Sequence, residues 1–266
     1  MSEQPIILQT EGPVASITFN RPDKANAMLV AWPDQMTAFF HQVEADPNVR
    51  CIHISGRGKN FMAGGDLEQF GDITKMSAAE KSFAFERDVY TWNKLITAMR
   101  RCPKPIVVSI QGAVAGAAVG LVAASDLIVA TKSSFLFLAH IFSGMSNDGM
   151  ATYFLPRQIG VHKTLQLALL GDRLGAEQAQ QMGLVNFVVE DDALEAETQK
   201  ILDRLAKGPT AAYGLIKNLV RSSLENSMEE QGRLEAESIG KCVQTHDWQE
   251  GVTAFVEKRK PAFTGN

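Results

Sequence analysis

The chain has few cysteines, no surplus of positive charge and no sign of a targeting segment. Its three cysteines, Cys51, Cys102 and Cys242, are odd in number and widely spaced. This pattern fits neither a disulfide framework nor a zinc site, so a reducing compartment and a cytoplasmic location are expected. The first residues, MSEQPIILQTEG, lack the basic start and the apolar run of a signal peptide.

Charge and composition exclude further classes of protein. Lys and Arg total 26 against 30 for Asp and Glu, a net charge of −4, so no basic surplus can neutralise a nucleic-acid backbone. Apolar residues make up 45% and charged residues 21%, as in ordinary globular proteins. A chain of this length buries about 70–75% of its unfolded surface. Disordered, fibrous and disulfide-stapled proteins are therefore excluded.

Residues 106–125 form a long uncharged run with the length of a membrane span. The run consists mostly of Ala, Gly, Val and Ser, has Gln111 near its middle, and begins with the β-branched segment IVVSI. A buried strand, a turn at QGAVAG and a small-residue helix at 116–124 explain these features better than a membrane span does. We therefore expect no membrane association.

Hydrophobic periodicity predicts an α/β protein with partly parallel strands. Strands are expected at 14–19, 51–55 and 127–130, and helices at 28–46 and 78–101, with 66–74 irregular or partly helical. From about residue 163 the pattern is helical, apart from an extended segment at 185–189. We expect an α/β core at residues 1–200, followed by a helical region at 201–266.

Familiar cofactor and nucleophile motifs are missing from the sequence. It contains no phosphate-binding loop, no G-x-G-x-x-G after a strand and no G-x-S-x-G turn. The five histidines are far apart and show no metal-ligand spacing. We therefore expect neither a metal nor a separate cofactor.

Two glycine-rich turns stand out, FMAGGDL at 61–67 and QGAVAGA at 111–117. Glycine lets the backbone approach a ligand closely, and the helix after the second turn offers free N–H groups at its start. Side by side, the two turns could hold an oxyanion between backbone donors. The same composition also fits two plain turns.

These turns are joined by further ordered motifs, namely VASITFNRPDKAN at 14–26, LPRQIG at 155–160, LLGDRLGAEQAQQMGLVNFVV at 169–189 and GVTAFVEKRKPAF at 251–263. Together they resemble the crotonase (enoyl-CoA hydratase/isomerase) family over nearly the whole chain. The resemblance implies an α/β fold with a crotonase-like ββα spiral core and a helical C-terminal trimerisation region. It also implies an acyl-CoA substrate, with coenzyme A present only as part of it, and a homotrimer or a hexamer of two trimers.

On this resemblance, the oxyanion donors are the backbone N–H groups of Gly65 and Ala117. Relatives commonly carry glycine at the second position, and alanine keeps the N–H. The coenzyme A part of the substrate is expected near Lys24, Ala25, Ala27, Ala63, Asp66 and Leu67. Phe255 and Lys258 are expected to assist from the C-terminal segment, although Lys258 also fits a solvated tail.

The acid–base positions depart from the hydratase pattern of two glutamates around a water molecule. The first glutamate position matches Gly120. The second matches His140, or Ala139 when it is counted forward from Asp126. None of these residues is a carboxylate, so a hydration mechanism that needs both groups is disfavoured.

Asp148 is an acid in the same stretch, and related Δ3-Δ2-enoyl-CoA and dienoyl-CoA isomerases carry Asp or Glu at or near this position. The resemblance implies a proton shuttle, although Asp148 also fits a turn before Gly149. His140 is either a partly buried histidine or a partner of Asp148. The two residues would also suit the family branch that hydrolyses β-diketones by C–C cleavage, and a CoA-binding relative without catalysis is a third hypothesis.

Overall fold

The β-branched segments form strands and the segments with helical periodicity form helices, in a computed structural model that describes residues 4–70 and 72–266 except the side chains at 67, 70, 72 and 73. The strands are β1 (Ile6–Glu11), β2 (Val14–Phe19), β3 (Cys51–Gly56), β4 (Ile106–Ile110), β5 (Ala113–Ala115), β6 (Leu127–Thr131), β7 (Phe135–Phe137), β8 (Leu174–Gly175) and β9 (Phe187–Val189). The helices are α1 (Trp32–Ala45), α2 (Ala78–Arg101), α3 (Ala117–Ala124), α4 (Ala151–Ile159), α5 (Val161–Leu170), α6 (Ala176–Gln181), α7 (Leu194–Ala206), α8 (Thr210–Ser222), α9 (Met228–Cys242) and α10 (His246–Val256).

The larger sheet has the strand order β1-β2-β3-β4-β6-β9. The β1–β2 pair is antiparallel, and the pairs from β2 to β9 are parallel. All five residues of β4 are buried, as expected for a central parallel strand with both faces covered. Because β3 and β4 are parallel neighbours, the loops that follow them leave from the same edge of the sheet.

The uncharged run at 106–125 folds as the expected strand, turn and helix. Its helix α3 has eight residues, all of them buried. Within the described ranges, no helix is long and apolar enough to cross a membrane. The turn at 111–117 also contains the short strand β5, which the sequence did not predict. This strand exists because it pairs with β7 in a second sheet of order β5-β7-β8, a contact between segments distant in sequence.

The helix expected at 28–46 begins only at Trp32. Met28 instead joins the first glycine-rich turn, because its N–H donates to Gly64 O at 2.8 Å and its carbonyl accepts from Asp66 N–H at 3.1 Å. The segment expected to be irregular or partly helical forms two 3-10 turns, Leu67–Phe70 and Asp72–Lys75.

Helix α7 covers one face of the larger sheet. Its Leu202 packs against the fully buried Cys51, Val107 and Val129. The boundary expected at residue 200 therefore falls inside a helix that packs on the core. Beyond it, α8–α10 form the helical C-terminal region, and the Asp247 carboxylate holds the tail by accepting hydrogen bonds from Thr264 N–H at 2.6 Å and Gly265 N–H at 2.7 Å.

His53 gives the folded chain a pH dependence. It lies on β3, bonds Ser109 of β4 through Nε2 at 2.7 Å, and has its pKa lowered by burial from 6.5 to about 4. The unfolded chain therefore binds the proton more readily, and the free energy of unfolding falls as the pH drops from about 6.5 towards 4, by at most about 1.4 kcal/mol per pH unit. Urea unfolding at pH 7 and pH 5 measures this loss. The variant His53→Gln, whose side chain cannot titrate, should lose less free energy of unfolding between pH 7 and pH 5. Equal losses in the variant and the wild type would show that His53 is not the source of the pH dependence.

Candidate active site

The two glycine-rich turns run side by side. A parallel bridge joins Met62 to Val114, Phe61 N–H donates to Gln111 O at 2.8 Å, and Ala115 N–H donates to Met62 O at 2.9 Å. Two residues beyond this bridge, each of the two turns has a glycine with positive φ, 94° at Gly64 and 60° at Gly116. A Cβ atom on Gly116 would lie only 3.7 Å from Gly64 Cα. The turns are thus held in close contact.

The two residues predicted to be the oxyanion donors come shortly after this bridge in each turn. Gly65 and Ala117 each come three residues after the bridged pair, so the register sets them at corresponding places on the two turns. In the described part of the chain, neither N–H donates a hydrogen bond. Ala117 is also the first residue of α3, where the helix dipole favours negative charge. Two N–H groups without a partner in the described chain are what an oxyanion site requires, and their role as oxyanion donors stays a prediction.

The segment expected to bind coenzyme A lies against the first turn. Asn26 holds this segment in place. Its backbone is left-handed, with φ at 55°, and its side-chain amide donates to Arg57 O at 2.9 Å and to Asn60 O at 2.8 Å. Ala63 N–H donates to Ala25 O at 3.0 Å. The backbone at Lys24, Ala25 and Ala27 is therefore adjacent to Ala63 and Asp66, as the sequence suggested. Asn26 itself was missed, because a buried asparagine carries no distinctive spacing.

Charged groups around this segment are paired. Lys24 bonds Glu68 at 2.6 Å in an exposed ion pair, and that hydrogen bond raises the pKa of the lysine. Asp66 bonds Arg21 at 2.8 Å, and this hydrogen bond lowers the pKa of the buried carboxyl. Asp66 therefore acts as a structural anion that steadies the loop, while the Lys24 ammonium stays at the surface. The side chain of Leu67 lies outside the described residues.

Phe255 and Lys258 lie apart from these turns in sequence and in bonding. Phe255 is 84% exposed near the end of α10, and Lys258 is an exposed residue with φ at 56° just after it. Their side chains take no part in the hydrogen bonds and ion pairs that hold the Lys24–Asp66 region in the described chain. Their role in binding coenzyme A stays a prediction.

The first hydratase position is filled by backbone. A Cβ atom on Gly120 would overlap the carbonyl oxygen of Gly149 and lie 3.1 Å from Ala151 N. Gly149 in turn, with φ at 65°, rests on α3, since a Cβ atom there would lie 2.7 Å from Ala117 O. The loop at 145–150 therefore occupies the place that a glutamate side chain at residue 120 would need.

The structure brings His140 and Asp148 together. His140 Nε2 lies 2.7 Å from Asp148 Oδ1, and the Asn147 side-chain nitrogen lies 3.0 Å from His140 Nδ1. His140 is 8% exposed, whereas the Asp148 side chain is 33% exposed and so is accessible to a ligand. A Cβ atom on Gly116 would lie 3.8 Å from the His140 ring. The pair is therefore beside the two glycine-rich turns at 61–67 and 111–117, the oxyanion turns of the prediction.

Both ring nitrogens of His140 have a polar partner. Nε2 faces the Asp148 carboxylate and Nδ1 faces the Asn147 side-chain amide. The sequence suggested the pair, but it gave no signal for Asn147. Trp92 of α2 also lies here, with its Nε1 close to Gly149.

No metal site accompanies these groups. Over residues 4–70 and 72–266, no cluster of three or more His, Cys, Asp or Glu side chains has the arrangement to hold a metal ion.

Comparisons with known proteins agree with this architecture. The sequence model of the enoyl-CoA hydratase/isomerase family matches residues 9–266. The chain is 34% identical to the 1,2-epoxyphenylacetyl-CoA isomerase of Escherichia coli over 98% of both chains, and 33% identical to the trans-2-decenoyl-acyl-carrier-protein isomerase of Streptococcus mutans over 100% of both. The crystal structure of an enoyl-CoA hydratase from Bacillus anthracis matches with a TM-score of 0.90 at 27% identity, covering 99% of this chain and 100% of that one.

The packing around residue 120 predicts the effect of adding a single methyl group there. Gly120→Ala should lower the free energy of unfolding by about 1–3 kcal/mol, because the Gly149 carbonyl must move to admit it. Gly232→Ala on α9 is the matched control, since no other atom lies within 4 Å of a Cβ there. That control should be neutral, or stabilising by about 0.5–1 kcal/mol. Urea unfolding compares the two, and equal effects would contradict the packing argument.

Proposed function

Since the chain belongs to the enoyl-CoA hydratase/isomerase family, we propose that it is an acyl-CoA isomerase that shifts a double bond from the Δ3 to the Δ2 position, with Asp148 as the proton shuttle. The observation that carries this proposal is the 2.7 Å hydrogen bond from His140 to Asp148 beside the two oxyanion turns. Two relatives named as isomerases, each at least 33% identical over nearly the full chain, support it.

The proposed reaction needs one base and one oxyanion site. The N–H groups of Gly65 and Ala117 bind the thioester oxygen and stabilise the negative charge that develops on it. Asp148 removes a proton from C2, which gives a dienolate, and returns that proton at C4. The double bond moves into conjugation with the thioester while no electron leaves the substrate. The reaction therefore requires no redox cofactor, and coenzyme A enters only as part of the substrate.

Asp148 is the proton carrier in this proposal because both nitrogens of His140 are engaged. Nδ1 lies 3.0 Å from the Asn147 side-chain nitrogen and Nε2 lies 2.7 Å from Asp148 Oδ1, so neither ring nitrogen is open to a substrate proton. The contact with His140 orients the Asp148 carboxylate. In the described residues, Oδ2 has no hydrogen-bond donor and is free to face the acyl chain.

Hydration is disfavoured on the same geometry. A mechanism with two carboxylates needs a second acid at residue 120 or near residue 140, and the first place is taken by the Gly149 carbonyl. The second place holds an imidazole whose nitrogens are both engaged. A single carboxylate suits the return of one proton to the same substrate better than the activation of water and the protonation of carbon at once.

C–C hydrolysis is a second candidate, and the His140–Asp148 contact itself favours it, because such a pair can activate water against a carbonyl. The engaged nitrogens of His140 count against this candidate in the resting geometry. A β-diketone without coenzyme A tests it directly. A CoA-binding relative without catalysis is the third candidate, and binding of acyl-CoA without turnover of either substrate class would support it.

We further propose a homotrimer or a hexamer in the cytoplasm, with Lys24, Ala25, Ala27, Ala63, Asp66, Leu67, Phe255 and Lys258 at the coenzyme A site. Exposed apolar side chains support the assembly, since single chains rarely leave many of them in contact with water. They line α5 and the C-terminal helices, at Val161, Leu165, Leu169, Leu170, Ile216, Val220, Ile239, Val252, Phe255 and Val256.

The base is tested by Asp148→Asn, which preserves size but cannot accept a proton. Purified protein is incubated with a 3-enoyl-CoA, and conjugation of the thioester is followed by absorbance. We expect kcat to fall by about 10²–10⁴-fold, the usual contribution of a general base. Asp172→Asn is the control, because it removes a carboxylate that bonds Gln166 at the end of α5.

Full turnover of the 3-enoyl-CoA by Asp148→Asn would refute the assignment of the base. Hydration of a 2-enoyl-CoA by the wild type, followed by mass, would refute the isomerase proposal itself. Cleavage of the β-diketone instead would establish the second candidate.

The oxyanion donor at residue 117 is tested by Ala117→Pro. Proline is tolerated at the first position of a helix, where it removes the N–H that the proposal uses and puts a ring carbon in its place. We expect kcat on the 3-enoyl-CoA to fall by about 10²–10³-fold, the cost of one oxyanion-hole donor. Ala117→Gly keeps the N–H and should keep most of the activity. Equal activity of the two variants, with thermal unfolding confirming that both fold, would remove Ala117 from the oxyanion site.

A further inference from the structure

The indole N–H of Trp92 has no hydrogen-bond partner among the described residues. Trp92 lies on α2 and is 2% exposed. A buried donor without an acceptor lowers stability, and native proteins leave few such groups. The described part of the chain supplies no acceptor for this N–H.

Trp92 Nε1 lies at the candidate active site. A Cβ atom on Gly149 would lie 3.0 Å from this nitrogen and 2.8 Å from Ala117 Cα. Gly149 directly follows Asp148, and Ala117 provides one of the two oxyanion donors. The unpaired donor is therefore next to both the proton shuttle and the helix start that binds the thioester. The proton transfer from C2 to C4 makes no use of it.

Glycine at position 149 keeps side-chain atoms of this loop away from the indole nitrogen. Any other residue would place a side chain against Nε1 and Ala117. The loop that carries Gly149 also has exposed residues at 141–146 and positive φ angles at Gly149 and Met150, 65° and 59°.

We propose that Trp92 is a specificity-determining residue, whose indole N–H donates a hydrogen bond to an oxygen atom on the acyl group of the bound thioester. The ligand class is an acyl-CoA with a hydroxyl, carbonyl or ether oxygen a few atoms from the thioester carbon. The inference rests on the proposed function, because it requires the thioester oxygen to lie between Gly65 and Ala117. An apolar acyl chain would leave the N–H unpaired and would bind less tightly.

The first experiment observes the N–H itself. The chain has three tryptophans, so protein labelled with ¹⁵N-tryptophan gives three indole signals, and Trp92→Phe identifies the one from residue 92. The ligands are butanoyl-CoA, 3-hydroxybutanoyl-CoA and 4-hydroxybutanoyl-CoA. We expect the Trp92 indole proton to move downfield with at least one hydroxylated ligand and not with butanoyl-CoA. The signal of Trp32, equally buried and also unpaired but stacked on Phe19, is the internal control and should not follow this pattern.

The second experiment measures affinity by calorimetry, which needs no turnover. The wild type should bind the preferred hydroxylated ligand about tenfold more tightly than butanoyl-CoA, the usual effect of one hydrogen bond. Trp92→Phe should bind both with equal affinity. If all three ligands bind the wild type equally and the Trp92 signal responds to none or to all alike, the inference is wrong and the proposed function is untouched. If no acyl-CoA binds at all, the proposed function fails, and the inference fails with it.

Discussion

The close packing of three backbone segments at Gly64, Gly116 and Gly149 is the constraint on which the rest of the site depends. Gly64 and Gly116 have positive φ and nearly touch, which holds the two oxyanion turns in register. Gly149 then fits against Ala117 and over Gly120. A side chain at Gly149 would press on Ala117, and the positive φ at Gly64 and Gly116 disfavours residues with a side chain, so glycine at these positions sets the geometry of the candidate site.

This packing also bears on the proposed chemistry. A Cβ atom on Gly120 would overlap the Gly149 carbonyl oxygen, and the same loop carries Asp148 to His140. His140 and Asn147 then fix the orientation of that carboxylate through two consecutive hydrogen bonds. In the proposed function, this loop therefore supplies one oriented carboxylate where a hydration mechanism would need two.

The sequence predicts local elements well where local chemistry determines them. Helix α2 has the predicted bounds, Ala78–Arg101, because Ser77 and Glu80 form a reciprocal capping box at its start. Strand β2 has its predicted bounds through clean alternation of buried and partly exposed residues. The short strands β5 and β7 were not predicted, because each exists only through pairing with a distant segment. The prediction that Met28 belongs to a helix was wrong for a similar reason, because its backbone partners, Gly64 and Asp66, are distant in sequence.

The site divides in the same way. Glycine-rich motifs located the two turns, because backbone segments that approach each other closely require glycine, and glycine is visible in the sequence. The contact of His140 with Asp148 could be named from the sequence only as one of two alternatives, since eight residues and a turn separate them. The overlap of residue 120 with Gly149, and the unpaired N–H of Trp92, are relations among α2, α3 and a loop that no local pattern encodes. Sequence motifs in this chain therefore locate the turns proposed to bind the oxyanion, whereas the groups proposed to select the reaction and the acyl substituent are identified by packing.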